Sequence, residues 1–112
     1  MELRREEQDG VSVVYLDGSI DSLKAPAIQE QLLATLGDAP QPVLLDLSGV
    51  DYISGAGLRV LLVFSKKIRT QGAAFGVCGL RPQVADVLTM AGFDTIISAY
   101  SSTEAALAAM GK

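Results

Sequence analysis

"VLLDLSGVDYISGAGLRVLL", residues 43–62, carries a strand, a glycine-rich turn and a helix start in one run. Val43, Leu44 and Leu45 form a continuous apolar stretch behind Pro40 and Pro42, bounded by turn residues. Such a run marks a strand buried on both faces, the habit of a parallel sheet covered by helices. Ser54-Gly55-Ala56-Gly57 follows, and the glycines supply either positive φ or close backbone approach. From Ala56 to Gln71, Leu58, Leu61, Leu62, Ser65 and Ile68 recur on one helical stripe, and Gly72 is the stop. An exposed turn from strand into helix can meet an anion or a partner; it can also be only a tight turn.

The same alternation extends in both directions. Asp9-Gly10 lies between two extended runs and predicts a hairpin pairing residues 2–7 with 11–17, with Leu16-Asp17-Gly18 ending the second strand. Residues 20–37 read as a helix, with Asp21 or Ser22 as cap, Pro26 in the first turns and Gly37 as stop. Ile28, Leu32, Leu33 and Leu36 share its face. Residues 73–80 read as another buried strand, and residues 81–92 as a short helix with Val84, Val87, Leu88 and Ala91 inward. Residues 94–100 are a short strand, with 95–98 expected in the sheet, and residues 102–111 form a last helix with Glu104 near its positive end. Met90 and Phe93 are expected in the core. The fold class is α/β: one domain over 1–112, with a mixed, mostly parallel sheet of about five strands and about four helices.

Composition narrows the function classes. The chain has 112 residues, 49% hydrophobic and 20% charged, with nine Lys and Arg against thirteen Asp and Glu, a net charge of -4. Nucleic-acid binding needs clustered cations, so direct binding is not expected. Lys66, Lys67 and Arg69 are the densest basic group and read as a solvated face. No apolar stretch nears the roughly 20 residues that span a bilayer, and the charged start "MELRREEQDG" lacks a signal core. A cytoplasmic protein without membrane insertion is expected. There is no His, and the one Cys, Cys78, cannot form an internal disulfide and reads as a buried small hydrophobe. Ser-His nucleophile pairs and His metal sites are therefore impossible, and no cofactor or metal is expected. The "GAG" turn also lacks the lysine of a phosphate-binding loop and the GxGxxG spacing.

"GSID" at 18–21, the 43–62 string and "CGLRPQVADVLTMAGFDTIISAYSSTEAAL" at 78–107 together resemble the STAS domain, above all bacterial anti-sigma factor antagonists. The resemblance implies a STAS-type fold and a non-enzymatic partner-switching regulator. It would bind an anti-sigma factor that is also a serine kinase of the GHKL type, and so release a sigma factor. The kinase phosphorylates one serine at the start of the second helix, the phosphoprotein lets go, and a phosphatase restores binding. The expected state is a monomer or weak dimer. STAS-like domains also occur in lipid-transport complexes, anion transporters and stress-signalling assemblies; a subunit of a lipid-transport or stress-signalling assembly stands as the alternative, beside a nucleotide- or phosphate-binding protein.

The resemblance places the partner-binding and phospho-switch loop on Asp21, Ser54, Gly55, Ala56, Gly57, Leu58 and Arg59. Gly57 and Leu58 match the family pattern, and Ala56 is its permitted small residue. The usual phosphoacceptor position falls on Gly55, which has no hydroxyl. Three readings stay open: a permanently unphosphorylated binder, Ser54 as the acceptor instead, or a variant of a Ser-containing parent, natural or engineered. Ser54 is equally explained as a helix cap. Asp21 is either a cap or a partner contact. Asp46 is expected to accept backbone hydrogen bonds that hold its loop, with Ser48 shaping the turn. Arg59 faces solvent or partner.

Overall fold

A computed structural model describes residues 3–95 and 97–111. Strands β1 (Leu3–Gln8) and β2 (Val11–Ile20) pair antiparallel. Asp9 (φ 53°) and Gly10 (φ 81°) both take the left-handed conformation that a two-residue hairpin turn of this hand requires. Residue 2, expected in the first strand, lies outside the described residues. β2 does not end at Asp17-Gly18. It runs on to Ile20 through two register shifts against β3 (Val43–Ile53): Tyr15 faces Asp46 but Asp17 faces Gly49, and Gly18 faces Val50 but Ser19 faces Tyr52. These are bulges, which absorb extra residues of β3 and keep the two strands paired. Gly49 sits at the first, where an added Cβ would lie 2.7 Å from Asp17 Cβ.

The remaining elements are α1 (Ala25–Ala34), α2 (Gly55–Thr70), β4 (Phe75–Cys78), α3 (Pro82–Met90), β5 (Ser98–Tyr100) and α4 (Thr103–Met110). α1 is shorter than the expected 20–37. Residues 22–24 are turn, and Asp21 holds them by accepting from Lys24 N at its side chain (3.0 Å) and from Ala25 N at its carbonyl (2.9 Å). The last strand is displaced from 95–98. Phe93–Thr95 is a 3₁₀ turn entered through Gly92 (φ 78°), and Ile97 N donates to Phe93 O, so both apolar side chains reach the core from a helical turn. Ile96 lies outside the described residues.

The sheet order is β1-β2-β3-β4-β5, with β2 to β5 parallel. Each βαβ crossover therefore steps the same way, and a right-handed connection puts α1, α2 and α3 on one face. The main core lies there, joining Val14, Leu45, Leu47 and Val77 to Leu32, Phe64, Ile68 and Leu88. Phe64 meets Phe75 edge to face, with centroids 5.8 Å apart. α4 covers the other face, where Ala106 packs on Val11, Val13, Leu44 and Cys78.

The buried stripe of α2 is Gly57, Val60, Leu61, Phe64, Ser65 and Ile68. It is rotated from the expected one: Leu58 is half-buried and Leu62 is 37% exposed, because Phe64 takes the place over Phe75. On α3, Val84 and Leu88 are buried and Val87 is half-buried, but Ala91 is exposed at the helix end. Phe93 is buried as expected; Met90, in the last turn of α3, is 87% exposed and not in the core. Among the described residues no helix is long and apolar enough to cross a membrane.

Candidate functional site

The turns leaving β2 and β3 meet at the carboxyl edge of the parallel strands, the edge where open α/β sheets place their sites. Ser54 is the joint. Its N–H donates to Ile20 O at 2.9 Å, which ties the two strand ends together. Its extended backbone turns the chain into α2, and its Oγ accepts from Gly57 N at 3.1 Å. Ser54 thus caps the helix by satisfying one of the N–H groups that a helix start leaves free.

The two glycines of the turn do different jobs. Gly57 is buried, and a Cβ there would lie 2.7 Å from both Ile20 Cγ2 and Ile20 O, and 2.8 Å from Ile53 Cγ1. Close approach of α2 to the ends of β2 and β3 requires glycine here. Gly55 is the first helical residue and is exposed; a Cβ there would meet nothing within 4 Å. Positive φ is not its reason either, since the left-handed glycines lie elsewhere. A side chain at 55 would project into solvent beside first-turn N–H groups and the positive end of a 16-residue helix, where an anion is favoured.

Asp21 stands on the neighbouring turn and uses one oxygen to hold Lys24 N. It acts as a capping group for the turn before α1 while remaining half-buried. Ala56 and Leu58 are half-buried and Arg59 is exposed. Ser22, Ala25, Pro26 and Gln29 from the α1 side and Ala56, Arg59 and Val60 from α2 border an open depression of about 260 Å³. The seven expected residues therefore lie on two adjoining turns and the start of α2, but not on one helix face: Gly57 is buried against the strand ends while Arg59 is exposed.

Two residues escaped the sequence reading. Leu23 is 88% exposed, next to Asp21, and Tyr52 is 53% exposed, two residues before Ser54. Leu23 falls outside the apolar period of α1, which was the available signal for it. Tyr52 follows the bulges in β3, which shift the inward-outward alternation and conceal its direction.

Below this edge Asp46 is buried and fully engaged. Its Oδ1 accepts from Ser48 N (2.9 Å) and Ser48 Oγ (2.7 Å), and its Oδ2 accepts from Thr103 Oγ1 (2.9 Å). The carboxylate accepts a backbone hydrogen bond as expected, but it holds a bulge inside β3, which runs on to Ile53, and not a loop after the strand; it also anchors the start of α4. Arg81 Nε adds a bond to Ser48 O at 2.9 Å. Cys78 lies 3.7 Å from Thr103 Oγ1. Burial pushes its thiol up; the Thr103 bond opposes this, and the Asp46 charge adds to it. Among the described residues no group of His, Cys, Asp and Glu could hold a metal ion.

Residues 2–106 match the family model described as the STAS domain. Over 109 residues the chain is 37% identical to BtrV of Bordetella bronchiseptica, whose name places it provisionally among anti-sigma factor antagonists; the match covers 97% of this chain and 94% of that one. Over 101 residues it is 30% identical to the anti-sigma-F factor antagonist RsfB of Mycobacterium tuberculosis, covering 90% and 82% of the two. The solved structure of an anti-sigma factor antagonist from Mycobacterium paratuberculosis superposes with a TM-score of 0.88 at 31% identity, over 97% of this chain and 92% of that one.

Proposed function

The chain belongs to the STAS domain family, and from that premise we propose that it is a partner-switching antagonist with no enzymatic activity of its own. It binds an anti-sigma factor that is also a GHKL-type serine kinase, and so frees a sigma factor. The contact surface is the edge formed by Asp21, Ser54, Gly55, Ala56, Leu58 and Arg59, with buried Gly57 shaping it from beneath and Leu23 as its apolar anchor. The observation that carries this is the contrast inside the turn: Gly57 is dictated by packing, whereas nothing in the fold dictates Gly55.

Position 55 is where a phosphoacceptor would be presented: exposed, uncrowded, at a helix N-terminus. Glycine there removes the hydroxyl while leaving the surface intact. Ser54 is a poor substitute, because its Oγ already caps α2. The protein is thus a binder that its kinase partner cannot switch off at the usual position. A phosphatase acting on this loop has no substrate in the native chain.

The test is displacement. The purified chain is added to each sigma–anti-sigma complex reconstituted from the same genome, and the products are separated by native mass spectrometry. Release of free sigma factor with a new chain–anti-sigma complex is expected. If every sigma factor stays bound and no anti-sigma factor is retained, the reading is wrong.

A further inference from the structure

The outer face of α2 is an electrostatic exception in this molecule. The chain carries a net charge of -4, yet α2 holds Arg59, Lys66, Lys67 and Arg69 and no carboxylate. All four cations are exposed, and none is paired with a carboxylate among the described residues, where the ion pairs are Arg4–Glu6 and Arg5–Glu7 on β1. Between the cations lie Leu62 and Val63, 37% and 38% exposed. Val63, Lys66, Lys67 and Thr70 border a second depression against Leu33 of α1, of about 320 Å³. It follows the same α1–α2 seam as the depression beside Ala56 and Arg59.

We propose that this face, from Arg59 to Thr70, docks an acidic amphipathic helix of the protein partner. The proposal rests on the antagonist reading for the identity of that partner and extends its contact about 16 Å away from the switch turn, roughly three helical turns. Apolar positions three and four apart on the incoming helix would cover Val63 and Leu33, and its flanking carboxylates would meet Lys66, Lys67 and Arg59. Charge selects the occupant. Screening confines each charge to about 8 Å at physiological ionic strength, so a short acidic segment feels the four cations. A membrane or a nucleic acid extends beyond the face and meets the acidic remainder of the chain.

Two arms test it on the full chain. In the first, Lys66→Glu with Lys67→Glu is expected to weaken the anti-sigma complex at least tenfold, about 1.4 kcal/mol, and to reduce the dependence of affinity on salt. Unchanged affinity overturns the docking site while the antagonist reading stands. In the second, the isotope-labelled chain is titrated with a three-turn leucine–glutamate amphipathic peptide, with its leucine–lysine counterpart, and with phosphatidylserine-rich vesicles. Saturable shifts at residues 59–70 and 29–36 with the acidic peptide alone are expected. No binding, equal binding of both peptides, or preferential binding of the vesicles overturns the proposal. This arm decides the site even if no anti-sigma factor binds, a result that would sink the antagonist reading alone.

Discussion

Gly57→Ala and Gly55→Ala lie two residues apart in the first turn of α2 and are expected to move stability in opposite directions. At 57 the new Cβ would lie 2.7 Å from Ile20 Cγ2 and Ile20 O and 2.8 Å from Ile53 Cγ1. Carbon atoms are comfortable at about 3.5–4.0 Å, so α2 must retreat by most of an ångström. Overpacking of this kind costs about 1–3 kcal/mol. Ile20 O is also the acceptor for Ser54 N, and straining that bond adds about 1 kcal/mol. The helical preference of Ala over Gly returns at most about 1 kcal/mol. The net loss is about 1–3 kcal/mol, or a Tm lower by roughly 4–12 °C for a domain of this size.

At 55 the Cβ meets nothing, and only the loss of freedom in the unfolded chain matters. Gly55→Ala is expected to gain about 0.5 kcal/mol, roughly 2 °C. Urea unfolding followed by circular dichroism measures both. A Gly57→Ala protein as stable as the native chain would refute the close-packing argument, and a Gly55→Ala protein destabilised by about 1 kcal/mol or more would refute the free-space one.

Other expectations concern the groups around the turn. Ser54→Ala removes the cap of α2 and is expected to cost about 1 kcal/mol, while Ser54→Asp, which can still cap, recovers most of it in the same unfolding assay. Asp46→Ala leaves Ser48 and Thr103 without their acceptor and is expected to cost about 2–3 kcal/mol, with amide exchange fastest at the start of α4; uniform protection there would contradict the anchoring role. The Cys78 thiol is raised in the folded chain, so its contribution is whole below the ordinary thiol value of 9.0 and is lost as the pH rises toward the folded value. The stability of the native chain minus that of Cys78→Ala should therefore fall above about pH 9, and a pH-independent difference would contradict the burial argument.

Much of this was legible because the deciding signals are local. Val43-Leu44-Leu45 marks its strand through a continuous apolar run, and Ser54 marks a helix start through cap chemistry that acts over three residues. Asp9-Gly10 fixes the hairpin turn by the conformations it permits. What was lost depends on distant partners. The bulges of β3 arise from pairing with β2, so neither the extension to Ile20 nor the exposure of Tyr52 shows in either strand alone. Residues 94–100 mix Asp94, Thr95 and Ser98 with apolar residues and show no clear period, and packing of Phe93 and Ile97 decides that a 3₁₀ turn precedes the strand. Met90 stands two residues past Leu88, which turns it off the buried Val84–Leu88 face of α3 and into solvent. In the candidate site, the sequence offers the same two reasons for both glycines, and only their neighbours in the fold reveal that position 57 requires glycine and position 55 does not.

The central claim is tested most directly by incubating the native chain and Gly55→Ser with the anti-sigma kinase and ATP, then recording intact mass and affinity for the kinase. The native chain should gain no phosphate and keep its affinity. Gly55→Ser should bind like the native chain before treatment, then take up phosphate at the new hydroxyl and lose affinity at least tenfold, about 1.4 kcal/mol. Phosphate on Ser54 of the native chain, with release of the partner, would contradict the claim and show that the switch has moved by one residue.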